Sequence, residues 1–214
     1  MSIRNWAWMT LAMVTCAAPG IAQKWEVGAG GGAAFYNTKK VEGPDGAVNA
    51  KFKPGAGFTA YVGQIGNRVG GEIRYTMLFN NMELSGGNGG GTSTLSGRSQ
   101  AVGYNVLLYT NGKESKTRGY FLVGGGMKQY TGTGSSAVLP AFIRTAVLTE
   151  TNQWKPMVTA GVGVSMKAGE KSRIRAELLV QGTETPTEVI TPVMGSMGGW
   201  YFSFAPMFSL SYVW

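Results

Sequence analysis

The chain has 214 residues, 34 of them glycine, with 43% hydrophobic, 11% aromatic and only 14% charged residues. That mixture suits neither a disordered chain nor a helical bundle; it suits strands and turns in one barrel-sized domain. Histidine is absent and Cys16 is the single cysteine, which excludes the usual triads, His-led metal sites, the commonest general base and an internal disulfide.

In chain order, the first element is residues 1–22. It has one positive charge at Arg4, an apolar run from Trp6 to Ala18, and the small-residue site Gly20-Ile21-Ala22. This predicts a secretory signal peptide cut before Gln23, leaving residues 23–214 as the mature domain. Its apolar run is shorter than the roughly 20 residues a membrane-spanning helix needs, and no later segment supplies one. Cys16 lies within it, in a poor match to a lipoprotein cleavage box, and reads as an apolar filler.

Eight strand-like stretches follow: KWEVGAGGGAAFYN, FKPGAGFTAYVGQ, RVGGEIRYTMLFN, SQAVGYNVLLYT, RGYFLVGGGMKQY, KPMVTAGVGVSMKA, SRIRAELLVQG and WYFSFAPMFSLSYVW. Each is long enough to cross a bilayer as a tilted strand of about 9 to 11 residues. Their connections alternate, with short QIGN, NGKESKT and GEK after the second, fourth and sixth strands and longer segments elsewhere. Short turns on one side, long loops on the other and an even strand count are the pattern of an outer-membrane barrel.

The faces alternate too. Val69, Ile73, Tyr75, Met77 and Phe79 oppose Gly70, Glu72, Arg74 and Thr76; Ile174, Ala176, Leu178 and Val180 oppose Arg173, Arg175, Glu177 and Gln181. Periodicity alone does not say which face points in, and a soluble lipocalin-like binder, apolar inside, is the alternative fold. Aromatic residues near strand ends favour the membrane reading as girdles: Trp25, Phe35, Tyr36, Phe79, Tyr109, Tyr120, Tyr130, Trp200, Tyr212 and Trp214. The expected fold is therefore all-β, an eight-stranded antiparallel up-and-down transmembrane barrel.

The motifs GGEIRYTMLF, GYFLVGGGMKQY, KPMVTAGVGVSM, SRIRAELLVQ and the aromatic end together resemble the small eight-stranded outer-membrane barrels of the OmpA and OmpX type. The resemblance covers nearly all of residues 23–214. It implies that the last strand, with Phe208, Leu210, Tyr212 and Trp214, is a recognition signal for the barrel-assembly machinery. It implies the barrel-only kind, without a peptidoglycan-binding domain.

The glycine runs GAGGG, GGNGGG and GGG lack the following Lys-Ser/Thr and precede no helix, so no nucleotide fingerprint is met. Glu72, Arg74, Arg175 and Glu177, with Glu26 joining, fall mid-strand on the polar face, where charges are costly unless paired. They read as lumen ion pairs: a packed plug in a barrel just wide enough for side chains, or a gate or proton path. Lys39, Lys40, Lys51, Lys53, Arg98 and Lys128 are expected at the outer rim, facing lipopolysaccharide phosphates or simply solvent.

The third and fourth outer loops, AVLPAFIRTAVLTE and TEVITPVMGSMGG, are unusually apolar. They are expected to extend the strands, to fold over the barrel mouth, or to bind an extracellular partner. Although the net charge is +8, no basic helix or stacking platform appears, so nucleic acid is not an expected partner. The expectation is a monomeric outer-membrane protein with a structural or surface-interaction role and no enzymatic activity, metal or cofactor. A narrow pore or conduit for small or apolar ligands is the alternative.

Overall fold

A computed structural model describes residues 24–44, 46–86, 91–133, 144–193 and 197–214. The signal-peptide assignment, with Cys16, lies outside the described residues. Eight long strands form the wall: β1 (Lys24–Tyr36), β4 (Gly55–Ile65), β5 (Val69–Phe79), β7 (Gly91–Tyr109), β8 (Thr117–Thr133), β10 (Asn152–Lys167), β11 (Ser172–Glu184) and β13 (Trp200–Val213). Five short strands accompany them: β2 (Lys39–Gly43), β3 (Gly46–Phe52), β6 (Met82–Gly86), β9 (Ala146–Leu148) and β12 (Ile190–Pro192).

Each wall strand pairs antiparallel with the next wall strand in the sequence, and β13 returns to β1, with Ala29 opposite Leu210 and Phe35 opposite Phe204. The sheet is closed and has no free edge in the wall. Closure satisfies the ladder hydrogen bonds internally, which is the condition for spanning hydrocarbon with strands.

The period of two sorts the side chains. Val27, Phe58, Ile73, Val102, Val123, Val162, Leu178 and Phe208 point out and are exposed, whereas Glu26, Thr59, Glu72, Arg74, Asn105, Ser165, Arg175 and Glu177 point in and are buried. Polar inside and apolar outside is the reverse of a lipocalin, and that alternative is set aside. The exposed Trp25 and Phe35 lie ten residues apart on β1. That is about 33 Å of strand at 3.3 Å per residue, or about 25 Å of height at ~40° tilt, the apolar band such barrels carry.

Four of the ten girdle aromatics are corrected. Tyr109, Tyr120 and Tyr130 are buried inside and Tyr36 is half-buried against them, while Trp25, Phe35, Phe79, Trp200, Tyr212 and Trp214 face out. Strand parity decides this: the four tyrosines share the inward phase of their strands. Trp154, exposed on β10, joins the outer set.

The long-loop end is more built than the sequence suggests. β7 starts at Gly91 instead of Ser99, so the wall rises beyond the apolar band on that side, and β2, β3 and β6 add to it in order, with Phe52 opposite Met82 and Met82 opposite Leu95. β9 and β12, from the third and fourth long loops, pair with each other. Val41, Val48, Leu84, Leu148, Val189 and Ile190 are all buried in one cluster there. The described parts of those apolar loops thus fold over the barrel mouth, which is why their sequence is so apolar.

Candidate functional site: the barrel interior

The inner face of β1 is almost free of side chains above Glu26, because Gly28, Gly30 and Gly32 occupy the inward positions. A Cβ at Gly28 would lie 2.4 Å from the Tyr61 ring, and one at Gly163 would lie 2.5 Å from the Tyr120 ring. These two glycines make room for inward tyrosines that flank the charged centre.

That centre joins charged residues from three strands, β1, β5 and β11. Arg74 Nε on β5 donates to Glu72 Oε1 at 2.6 Å, and its Nη2 donates to Glu177 Oε2 on β11 at 3.0 Å, with Nη1 also bound to Glu177. Arg175 on β11 crosses the other way, donating from Nη1 to Glu72 Oε2 at 2.9 Å and from Nε to Glu26 Oε1 on β1 at 3.1 Å, with Nη2 on the second Glu26 oxygen. All five side chains are nearly inaccessible. Carboxylates in excess are met by neutral donors: Tyr120 Oη gives 2.7 Å to Glu177 Oε2, Asn105 Nδ2 gives 3.4 Å to Glu72 Oε1, and Ser211 Oγ donates to Glu26.

The guanidinium faces are covered as well. Arg175 stands 4.3 Å and Arg74 4.9 Å from the Tyr61 ring centroid, a cation–π arrangement that replaces water on the flat faces. Such a centre can hold charge in place and fill cross-section.

Two buried arginines lie nearer the short-turn end. Arg118 bonds the backbone oxygens of Asn111, Gly66 and Asn67 and stacks 3.6 Å from the Tyr109 ring centroid. Arg173 reaches Ser165 Oγ and the Lys113 carbonyl. Toward the other end, Lys128 Nζ donates to Ser203 Oγ at 2.7 Å and Gln181 Oε1 at 3.0 Å.

Lys128 is a correction: it is 1% exposed inside the barrel and is not a rim residue. The run Gly124-Gly125-Gly126 before it erases the alternation, so its face could not be read forward from Phe121 and Val123. Above Lys128, Tyr36, Phe52, Tyr130 and Tyr201 form an aromatic layer with centroid separations of 4.9 to 5.7 Å between Phe52 and the other three.

The remaining rim residues divide. Lys51 and Lys53 reach Glu83 at 2.9 and 3.3 Å, Lys40 and Arg98 are exposed, and Lys39 is half-buried. Phe208, Leu210, Tyr212 and Trp214 all face outward. Tyr61, Asn105 and Ser211 complete the charged centre without having been sequence candidates, and their inward phase was the available signal; Tyr120, expected in the girdle, joins them.

A closed wall of eight antiparallel strands, apolar outside and charged inside, defines a transmembrane β-barrel of the outer-membrane kind. No protein-family model matches the chain, and no curated protein matches it in sequence. Among solved structures it is similar to Neisserial surface protein A, with TM-score 0.53 and 12% identity over 88% of this chain and 96% of that one. It is also similar to the outer membrane protein OprG from Pseudomonas aeruginosa, with TM-score 0.58 and 9% identity over 90% of this chain and 96% of that one. At such identities the likeness is one of fold: the chain has the fold of the small eight-stranded outer-membrane barrels.

Proposed function

We propose that this protein is an exported outer-membrane barrel with a structural or surface-interaction role, its lumen plugged against solutes. The observation that carries the reading is the buried network of Glu26, Glu72, Arg74, Arg175 and Glu177 spanning the interior between β1, β5 and β11. In an eight-stranded barrel the side chains suffice to fill the cross-section, and the aromatic layer and the apolar roof add two more obstructions in series. Reconstituted in planar bilayers, the protein is expected to show no steady ion conductance, and the pair Arg74→Ser with Arg175→Ser to raise it. Stable conductance of the unaltered protein would replace the plug with a narrow conduit.

The partners follow from the faces. Lys39, Lys40 and Arg98 would meet lipopolysaccharide phosphates, with Lys51 and Lys53 contributing less because Glu83 already engages them. An extracellular partner would meet the outer side of the β9–β12 pair, where Val193 is exposed. The outward aromatic row of β13 would be read by the barrel-assembly machinery before that strand closes on β1. Closure within one chain supports a monomer.

A further inference from the structure

The net charge is unevenly distributed along the barrel axis. At the long-loop end Lys39, Lys40, Lys51, Lys53, Arg98, Arg144 and Lys155 are largely offset by Glu42, Glu83, Glu150, Glu184 and Glu188. In mid-barrel Arg74, Lys128 and Arg175 are matched by Glu26, Glu72 and Glu177. At the short-turn end Lys24, Arg68, Lys113, Lys116, Lys167 and Lys171 stand on turns or strand ends, with Arg118 and Arg173 just inside, against only Glu114 and Glu170. Six of the net eight positive charges are therefore gathered at one end.

Little at that end neutralises the excess. Lys167 reaches Glu114 there only at a loose 3.9 Å. Arg118, fully buried, spends its bonds on backbone carbonyls and leaves Nη1 without a partner. The cations also stand beside the apolar band. Lys24 precedes the exposed Trp25, which exchanges backbone hydrogen bonds with the exposed Trp214, and Lys171 Nζ lies 6.0 Å from the ring of the exposed Tyr212.

We propose that the short-turn end is a docking surface for the phosphate headgroups of an anionic lipid leaflet, a partner distinct from the lipopolysaccharide assigned to the opposite rim. Aromatic rings at headgroup depth with cations just beyond them match a surface of apolar chains ending in phosphate. Each Lys or Arg near an anionic lipid surface is worth about a fivefold gain in partition. The commitment to lipid, and not to a soluble polyanion, rests on this contiguity of rings and cations. The inference rests on the membrane-spanning reading above.

The test uses the mature protein with Trp154→Phe and Trp200→Phe, so that Trp25 and Trp214 report, reconstituted in phosphatidylcholine vesicles with brominated phosphatidylglycerol as quencher. Quenching is expected to show phosphatidylglycerol enriched about fivefold or more beside these tryptophans. Lys24→Gln with Lys171→Gln should bring the enrichment close to equality, and inorganic phosphate at matched ionic strength should leave it unchanged. Equal quenching by brominated phosphatidylcholine and phosphatidylglycerol in protein that has inserted would overturn this inference alone. Displacement by inorganic phosphate would make the site one for a small soluble anion and overturn the lipid assignment. Failure to insert, read by protease sensitivity of the wall strands, would overturn the membrane reading and this inference with it.

Discussion

Arg175 donates from all three of its guanidinium nitrogens to carboxylates of two other strands, Glu26 on β1 and Glu72 on β5. Its own strand neighbour Glu177 is held instead by Arg74. Removing Arg175 leaves the Glu26 carboxylate with the neutral Ser211 hydroxyl as donor and no cation, so Arg175→Met is expected to destabilise the barrel by about 3 to 5 kcal/mol, the usual cost of stranding a buried charge. Adding Glu26→Gln should recover part of that loss, whereas adding Glu177→Gln should not, because it leaves Arg74 short of a partner. Urea unfolding in liposomes measures all three, and equal recovery by both second changes would mean that the crossed pairing is wrong. Gly28→Val tests the glycine face: overpacking against the Tyr61 ring should cost about 1 to 3 kcal/mol in the same assay, with a shift in the unfolding midpoint as the readout.

At the scale of elements, the β2–β3–β6 extension stands beyond the apolar band and is held at its base by Glu83 between Lys51 and Lys53. The hydrogen bond from Lys51, with that from Lys53, holds the Glu83 carboxyl below its ordinary range against the opposing effect of burial. A carboxyl depressed in the folded state contributes stability that is full above its unfolded value of about 4.3 and is lost as pH falls through the folded one. Hydrogen exchange across Lys39–Phe52 should therefore be unchanged between pH 8 and pH 6, once corrected for intrinsic rates, and should lose protection only in acid; Glu83→Gln should remove the acid step. The terminal element makes a different prediction. β13 is hydrogen-bonded to both β1 and β11 and closes the wall, so Tyr212→Ser with Trp214→Ser should leave export intact and lower the folded fraction in the outer membrane, read by heat-modifiable gel migration.

For the whole molecule, the two ends differ in build: short turns with an excess of cations at one, and at the other a raised wall, an aromatic layer and an apolar roof. If the short turns face the periplasm, a tag inserted at Pro44 should be labelled on intact cells and one between Gly112 and Lys116 only after the outer membrane is opened. The reverse result would invert the barrel, and with it the rim that meets lipopolysaccharide. The same comparison can be made at Asn88 and Ser135, positions outside the described residues, where external labelling is also expected.

The wall itself was legible in the sequence because a strand whose two faces meet different solvents must alternate, and each face repeats over enough residues to average out exceptions. Glu72, Arg74, Arg175 and Glu177 were readable as inward residues for that reason. Local pattern failed where glycine removes the side chains that mark phase, as before Lys128, and where short strands such as β9 and β12 lack the length to show a period. It also could not say which carboxylate each arginine takes, since Arg175 lies 149 residues from Glu26 and only closure of β13 onto β1 brings them together. The inward or outward place of Tyr36, Tyr109, Tyr120 and Tyr130 was likewise a tertiary matter: an aromatic ring near a strand end suits a lipid girdle or a packed interior equally well by chemistry. Register chooses between them, because a shift of one residue moves a side chain through the wall.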